Sequence, residues 1–231
     1  MMTTRPAVPH VIVSAAAWSG CLFGLALTPA HAGESYVEVG VPGVVVGYAM
    51  SVNQKLGLCA DAGTTGDIKR THSISGVGFD TKTQYSRLGA FADYFPFGGR
   101  FRLSGGLTLN QAKLDLNSRF DGSAAITVNG HDITPSASDY YNGQFKFPTL
   151  MPYIGLGWGH QARAAGMGFV ADVGVSIGRA KFTPNTNLVG QTYNGYTITQ
   201  ADVDSKTAEV NNSIGRVTLL PSASIGLNYR Y

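Results

Sequence analysis

Apolar and polar residues alternate along the chain, and the last segment shows this most clearly. From Leu219 to Tyr231 every second residue is apolar, and the residues between are small or polar apart from Leu220. Successive side chains of a β-strand point to opposite faces, so this pattern predicts a two-faced strand. An apolar outer face, a polar inner face and an aromatic end are typical of a transmembrane barrel strand.

The same alternation predicts six further strands, at about residues 44–51, 56–61, 87–94, 101–110, 153–159 and 169–177. Tyr36–Gly40, followed by Val41-Pro42-Gly43, is predicted as the first strand. Bacterial barrels have an even number of strands, and an open sheet edge leaves backbone groups unpaired in hydrocarbon. We therefore predict an all-β fold, an eight-stranded antiparallel transmembrane up-and-down β-barrel.

Short and long connections alternate between these strands. Short turns are expected near Asn53, at Pro96–Gly99 and at Gln161–Gly166. Long loops are expected at about residues 62–84, 111–147 and 181–214. Short turns are periplasmic and long loops extracellular in such barrels, so we expect a periplasmic C-terminus.

Two of the long loops carry signals of local structure. Val128–Thr134 and Tyr193–Thr199 each contain Asn-Gly, which favours a tight hairpin because both turn positions need a positive φ. Thr199–Asp202 resembles a helix-capping signal and predicts a short helix over about residues 200–212. Such ordered loops either shield the barrel rim or bind something outside.

Residues 1–32 have the pattern of a secretory signal peptide, which leaves residues 33–231 as the barrel. Arg5 precedes an apolar run from about Val11 to Leu27, and Pro29–Ala32 supplies an Ala-x-Ala cleavage site. The run is short for a transmembrane anchor. The residues around Cys21 fit a lipoprotein signal poorly.

Composition supports the barrel over a soluble protein. Charged residues make up 13% of the chain, against about 25% in soluble domains. Loss of Arg5 with the signal peptide lowers the formal net charge from +3 to +2, so no nucleic-acid partner is expected. In a soluble β-sandwich or lipocalin-like barrel the apolar faces would point inward. Five aromatics near strand ends on the apolar face instead suit a membrane interface: Tyr48, Tyr94, Trp158, Tyr229 and Tyr231.

Charged residues occur on the predicted inner face, with three of each sign. They are Asp61, Arg87, Asp93, Arg102, Asp172 and Arg230. The interior of an eight-stranded barrel is just wide enough for side chains to fill it, and unpaired buried charges are costly, so we expect these residues to pair. The network is either a structural plug or a gate for a small zwitterion, in which Arg87, Asp93, Arg102 and Asp172 would act. The inner glycines make room for the arginines.

Three segments, at residues 152–159, 168–175 and 224–231, resemble a family of small bacterial outer membrane barrels. The family includes the carbapenem-susceptibility-associated outer membrane protein and is loosely similar to the OmpA membrane domain. The resemblance implies an outer membrane location, contact with membrane lipid and lipopolysaccharide, and entry of glycine or small basic amino acids. Leu227-x-Tyr229-x-Tyr231 is similar to the signal read by the barrel assembly machinery, with Tyr231 where Phe is usual.

Catalytic motifs are weak, and we expect neither an enzyme, a metal site nor a cofactor. His72 lies near Ser73 and Asp67, His131 lies in a predicted hairpin, and His160 lies at a predicted periplasmic turn. Three functions stay open: a narrow channel for small polar solutes such as amino acids, a closed structural or surface-interaction barrel that binds an extracellular ligand through its loops, and a lipid A hydrolase.

Overall fold

The structure is a computed structural model that describes residues 33–74, 77–160, 165–214 and 218–231. The predicted signal peptide, and residues 161–164 of the predicted turn at Gln161–Gly166, lie outside the described residues. The elements are β1 Gly33–Val41, β2 Gly43–Ser51, β3 Leu56–Ile74, β4 Val77–Tyr94, β5 Phe101–Arg119, β6 Ile126–Val128, β7 His131–Ile133, β8 Tyr141–Lys146, β9 Leu150–Trp158, β10 Gly166–Gly178, β11 Lys181–Thr186, β12 Thr192–Tyr193, β13 Tyr196–Thr197, α1 Gln200–Ser213 and β14 Thr218–Arg230.

Eight of these strands close into an antiparallel barrel, as predicted. Their order around the ring is β5, β4, β3, β2, β1, β14, β10 and β9, and β9 pairs with β5 to complete it. The first strand, which had the shortest sequence pattern, is paired along its length with β2 on one side and β14 on the other. This double pairing removes the open edge.

The two ends of the barrel differ. The short connections at residues 52–55 and 95–100, together with residues 159–160 and 165, lie at one end, which we call the turn end. Gly33 and Tyr231 also lie there, since the Tyr231 N–H donates to the Gly33 carbonyl at 3.2 Å. The opposite end, the loop end, carries β6–β8, β11–β13 and α1.

Residues 62–84, expected as a long loop, are mostly paired strand. β3 continues to Ile74 and β4 begins at Val77, with one irregularity between Thr64 and Asp67. Most described side chains of this extension are exposed or half-buried, so the hydrophobic alternation disappears although the backbone pairing continues. At the loop end, β8 pairs with residues 113–116 of β5, and β11 pairs with β8.

Large apolar side chains point outward from the barrel wall. Val37 is 53% exposed and Ile225 is 55% exposed, whereas the inward Val170 is fully buried. The exterior is therefore compatible with lipid. The five aromatics predicted for the membrane interface are all exposed and lie within about four residues of the turn end: Tyr48, Tyr94, Trp158, Tyr229 and Tyr231. No helix within the described ranges is long and apolar enough to cross a membrane.

The loop end carries an ordered cap, which we define as β6, β7 and residues 188–214. Both predicted Asn-Gly hairpins are present, with positive φ at Asn129 and Asn194 and at the glycines that follow them. The predicted helix is confirmed as α1, with Thr199 and Asp202 forming a capping box. A small apolar core holds the cap together, formed by Ile133, Leu188, Ile198 and Val203.

Candidate functional site

Arg102 of β5 is the centre of a buried ion-pair network in the lumen. Its Nη1 donates to Asp93 Oδ2 of β4 at 2.7 Å, and its Nη2 donates to both carboxylate oxygens of Asp172 of β10 at 2.5 Å. Ser104 Oγ donates to Asp93 Oδ1 at 2.6 Å. Arg102 is only 3% exposed, and its bonds link β5 to the adjacent β4 and, past Gly157 of β9, to β10.

A second ion pair joins Arg87 of β4 to Asp61 of β3. Arg87 Nη2 donates to Asp61 Oδ2 at 2.5 Å, and both side chains are buried. The guanidinium also lies 5.6 Å from the ring centre of Phe91 and 5.8 Å from that of Tyr153, which is within cation–π range. Five of the six charged residues predicted for the lumen thus form one ion pair and one group of three.

Arg230 is the exception. Its side chain is half-buried and donates to Ser51 Oγ at 3.3 Å, and it forms no ion pair within the part of the chain that the structure describes. It lies at the last position of β14, where the barrel opens, and the inward Asn228 lies between it and the network. The alternation predicted its face, but its depth separates it from the other charges.

The network also contains Glu34, Glu38 and His160, which were not predicted as lumen residues. His160 Nδ1 is hydrogen-bonded to Glu34 Oε1, and its Nε2 lies 3.9 Å from Asp172 Oδ2. Ser224 Oγ donates to Glu38 Oε2 at 2.7 Å. Glu34 and Glu38 alternate with outward valines in β1, so the period-two pattern of that strand held a signal for them.

Inward glycines make room mostly for aromatic rings. A Cβ at Gly47 would lie 2.2 Å from Cζ of Tyr36, and one at Gly174 would lie 2.1 Å from the Tyr153 hydroxyl. The expectation that these glycines make room for the arginines holds at Gly157, where a Cβ would approach Arg102 Nε to 2.4 Å. The rings therefore fill much of the space that inward glycines would otherwise leave for water.

The space left within the network is small. A cavity of about 20 Å³ is lined by Asp61, Arg102 and Asp172 among others, and one of about 10 Å³ lies beside His160 and Phe95. A single water molecule needs roughly 10–15 Å³. The two cavities therefore have room for a water or two but not for an amino acid.

A second polar layer lies closer to the loop end. Thr108 and Ser176 hydroxyls are 3.0 Å apart, and Asn110 Nδ2 donates to Thr108 Oγ1 at 2.7 Å. All three side chains are buried, and Met151 beside them is fully buried. Side chains thus fill the lumen at two heights.

The other two histidines within the described residues, His72 and His131, lie away from the lumen. His72 is exposed on β3, and Asp67, predicted near it, bonds instead to Gln84 and to Lys82. His131 stacks on Tyr196 in the cap at 3.9 Å between ring centres. The structure does not bring Asp67 to His72 as a hydrolase would require.

The cap holds its own polar contacts. Asn129 Nδ2 donates to Asp202 Oδ1 at 3.0 Å, and Asn194 Nδ2 donates to the Asp132 carbonyl at 3.1 Å. The Tyr193 hydroxyl donates to Asp139 Oδ2 at 2.7 Å. Burial, together with this hydrogen bond, raises the pKa of Tyr193 to about 12. These bonds link the two hairpins to each other, to the helix start and to the segment before β8.

Comparison with known proteins identifies the fold. The chain is similar to the crystal structure of Acinetobacter baumannii CarO2, with a TM-score of 0.62 and 19% identity over 87% of this chain and 98% of that one. It is also similar to the crystal structure of A. baumannii CarO, with a TM-score of 0.58 and 19% identity over 86% and 97%. The chain has a CarO-like barrel fold. No family model and no curated protein sequence matches it.

Proposed function

We propose that this protein is an outer membrane barrel whose lumen is closed by its own side chains and which acts through its extracellular cap. The observation that carries the proposal is Arg102, which joins Asp93 of β4 to Asp172 of β10 inside the lumen beside a cavity of about 20 Å³. A side-chain plug of this kind leaves the cap as the surface able to meet a partner.

Several features support the outer membrane and one orientation in it. The wall is apolar outside, the exposed aromatics gather at the turn end, and the longer, structured connections lie at the loop end. We place the turn end in the periplasm and the cap outside. The outward residues Leu227, Tyr229 and Tyr231 fit the proposed signal for the barrel assembly machinery.

A row of lysines supports contact between the loop end and lipopolysaccharide. Lys113, Lys146 and Lys181 are adjacent in register across β5, β8 and β11 and form no ion pair with a described residue. Lys113 lies four positions, about 13 Å, beyond the exposed Leu109 on the same outer face. Like charges directly opposite each other are unfavourable, and lipid phosphates would neutralise them.

Substitution of the row tests this contact. The triple variant Lys113→Gln/Lys146→Gln/Lys181→Gln should retain less lipopolysaccharide on purification, measured as lipid A by mass spectrometry. Lys55→Gln is the control, since Lys55 is exposed at the turn end. Equal amounts of lipid A on the unsubstituted protein, the triple variant and Lys55→Gln would contradict the proposed contact between these lysines and lipopolysaccharide.

Liposome swelling tests the closed lumen. Proteoliposomes containing the folded protein should swell in isotonic glycine or arginine no faster than empty liposomes, whereas a general porin in parallel vesicles should give rapid swelling. Swelling above the empty baseline would favour the alternative function, a narrow channel for small polar solutes.

Removal of the larger part of the cap, which holds β12, β13 and α1, tests the role of the cap. Replacing residues 188–214 by a short Gly-Ser linker should leave the barrel folded, because the eight barrel strands lie outside this segment. Cell adhesion or envelope phenotypes that depend on the protein should be lost. Retention of those phenotypes by a correctly folded variant would contradict the proposal.

A further inference from the structure

We propose that the lumen holds a binding site for one divalent transition-metal ion of the zinc class, formed by Glu38, His160 and Asp172. One ligand atom of each residue lies within 4.8 Å of those of the other two. Glu38 is 2% exposed and His160 is 1% exposed. Glu38 Oε1 and His160 Nε2 are buried without a hydrogen-bond partner, which is costly unless something else satisfies them.

His160 is oriented as a metal-binding histidine is. Its Nδ1 is bonded to Glu34 Oε1, and Asn228 Nδ2 donates to the other oxygen of Glu34 at 3.0 Å. With the proton on Nδ1, the Nε2 lone pair is free and faces the carboxylate of Asp172. Metal-bound histidines almost always donate their second ring nitrogen to a carboxylate or carbonyl in this way, and the contact fixes the tautomer.

The other ligands are also held in place by neighbours. Ser224 Oγ donates to Glu38 Oε2 at 2.7 Å, which leaves Oε1 available. Asp172 is held by Arg102, and its Oδ2 lies 3.9 Å from His160 Nε2. Ligands of a tetrahedral ion bound at about 2.0–2.1 Å are roughly 3.3–3.5 Å apart, so small side-chain movements suffice. One imidazole and two carboxylates suit zinc better than calcium or magnesium, which prefer oxygen ligands alone.

The charge balance of the lumen also favours a cation. Five inward carboxylates, those of Glu34, Glu38, Asp61, Asp93 and Asp172, face two buried guanidiniums, those of Arg87 and Arg102. Full ionisation would leave three negative charges uncompensated in a space that excludes most water. A bound dication would offset two of them.

The site is not visible as a sequence motif, because its ligands come from β1, the connection after β9, and β10. It also does not depend on the cap, and it does not require that the barrel be closed to solutes. If the protein binds no metal, the proposed function therefore still stands. If solutes pass through the barrel, that result alone does not contradict the metal site.

Metal analysis of the folded protein tests the proposal. The background is the full chain carrying His72→Gln and His131→Gln, which removes two exposed histidines. Protein isolated folded from membranes, stripped with a chelator and titrated with Zn²⁺ should bind one ion per chain, measured by calorimetry and elemental analysis. His160→Gln and Glu38→Gln should each weaken binding at least tenfold, whereas Glu209→Gln on the exposed face of α1 should not.

Glu34→Gln gives an independent readout, because Glu34 contacts the histidine and not the proposed ion. Loss of such an orienting carboxylate should weaken Zn²⁺ binding by about 10–100-fold. Heat-modifiable mobility on gels shows that each variant is folded, and if His160→Gln fails to fold, Glu38→Gln and Glu34→Gln supply the comparison. Absence of stoichiometric Zn²⁺ in the background protein, or equal affinity in the folded variants, would overturn the site.

Discussion

Two buried arginines hold three of the inward carboxylates in ion pairs. Arg102 touches Asp93 and Asp172, so its removal would leave two carboxylates buried and unpaired. We expect Arg102→Ala to lower the free energy of unfolding by about 3–5 kcal/mol, measured by urea unfolding in lipid vesicles. Arg119→Ala is the control, because Arg119 pairs with Asp80 on the exposed extension and should cost at most about 1 kcal/mol. Equal losses would contradict the role of the network.

Glycines determine how the tyrosines fill the interior. Gly47→Ala would place a methyl group against the Tyr36 ring, and we expect a loss of about 1–3 kcal/mol in the free energy of unfolding. Gly105→Ala is a matched control in another barrel strand, because a Cβ there meets no atom within 4 Å. The prediction fails if the two substitutions cost the same in urea unfolding.

At the scale of elements, the sequence pattern predicts membrane strands better than it predicts their extensions. Leu103, Leu107 and Leu109 alternate with inward polar residues, so β5 could be recognised and its faces assigned. β3 and β4 extend to Ile74 and Val77, where both faces are largely exposed or half-buried and no apolar period remains. Hydrophobic alternation reports an apolar face, and it ends where that face ends.

The cap also shows what local signals can predict. Asn-Gly at residues 129–130 and 194–195 requires positive φ at both positions, and Thr199 with Asp202 forms a complete capping box, so the hairpins and α1 follow from short-range chemistry. The contact between Asn129 and Asp202 joins residues 73 positions apart, and no local pattern indicates it.

Acid should loosen the start of α1. Hydrogen bonds from the Thr199 backbone, Tyr196 and the Thr199 hydroxyl lower the pKa of Asp202. Because the pKa of Asp202 is lowered in the folded state, the stability that its ionised carboxylate contributes is complete above the ordinary Asp pKa of about 3.9. That stability is lost as pH falls through the lowered pKa. Pepsin should therefore cleave residues 188–214 faster as pH falls from about 4 to about 2. Asp202→Asn is the control and should lack this dependence; an identical pH profile would contradict the assignment.

For the whole molecule, the alternation predicts which way the inward charges point but not how deep they lie. Asp61, Arg87, Asp93, Arg102 and Asp172 form ion pairs in the lumen, whereas Arg230 lies near the turn end. His160 lies in a connection, where period-two reasoning does not apply, and it enters the lumen through its contact with Glu34. Closure of the barrel brings these distant segments together, so the complete site depends on tertiary structure.

The barrel is asymmetric along its axis, with the charged network nearer the turn end and the cap at the loop end. We propose that this network closes the resting lumen. The most direct test is the ionic current through planar bilayers that contain the purified folded protein. We expect no conductance above that of the bare lipid, and a cation-selective current from Arg102→Ser. Discrete conductance steps from the unmodified protein would contradict the closed lumen.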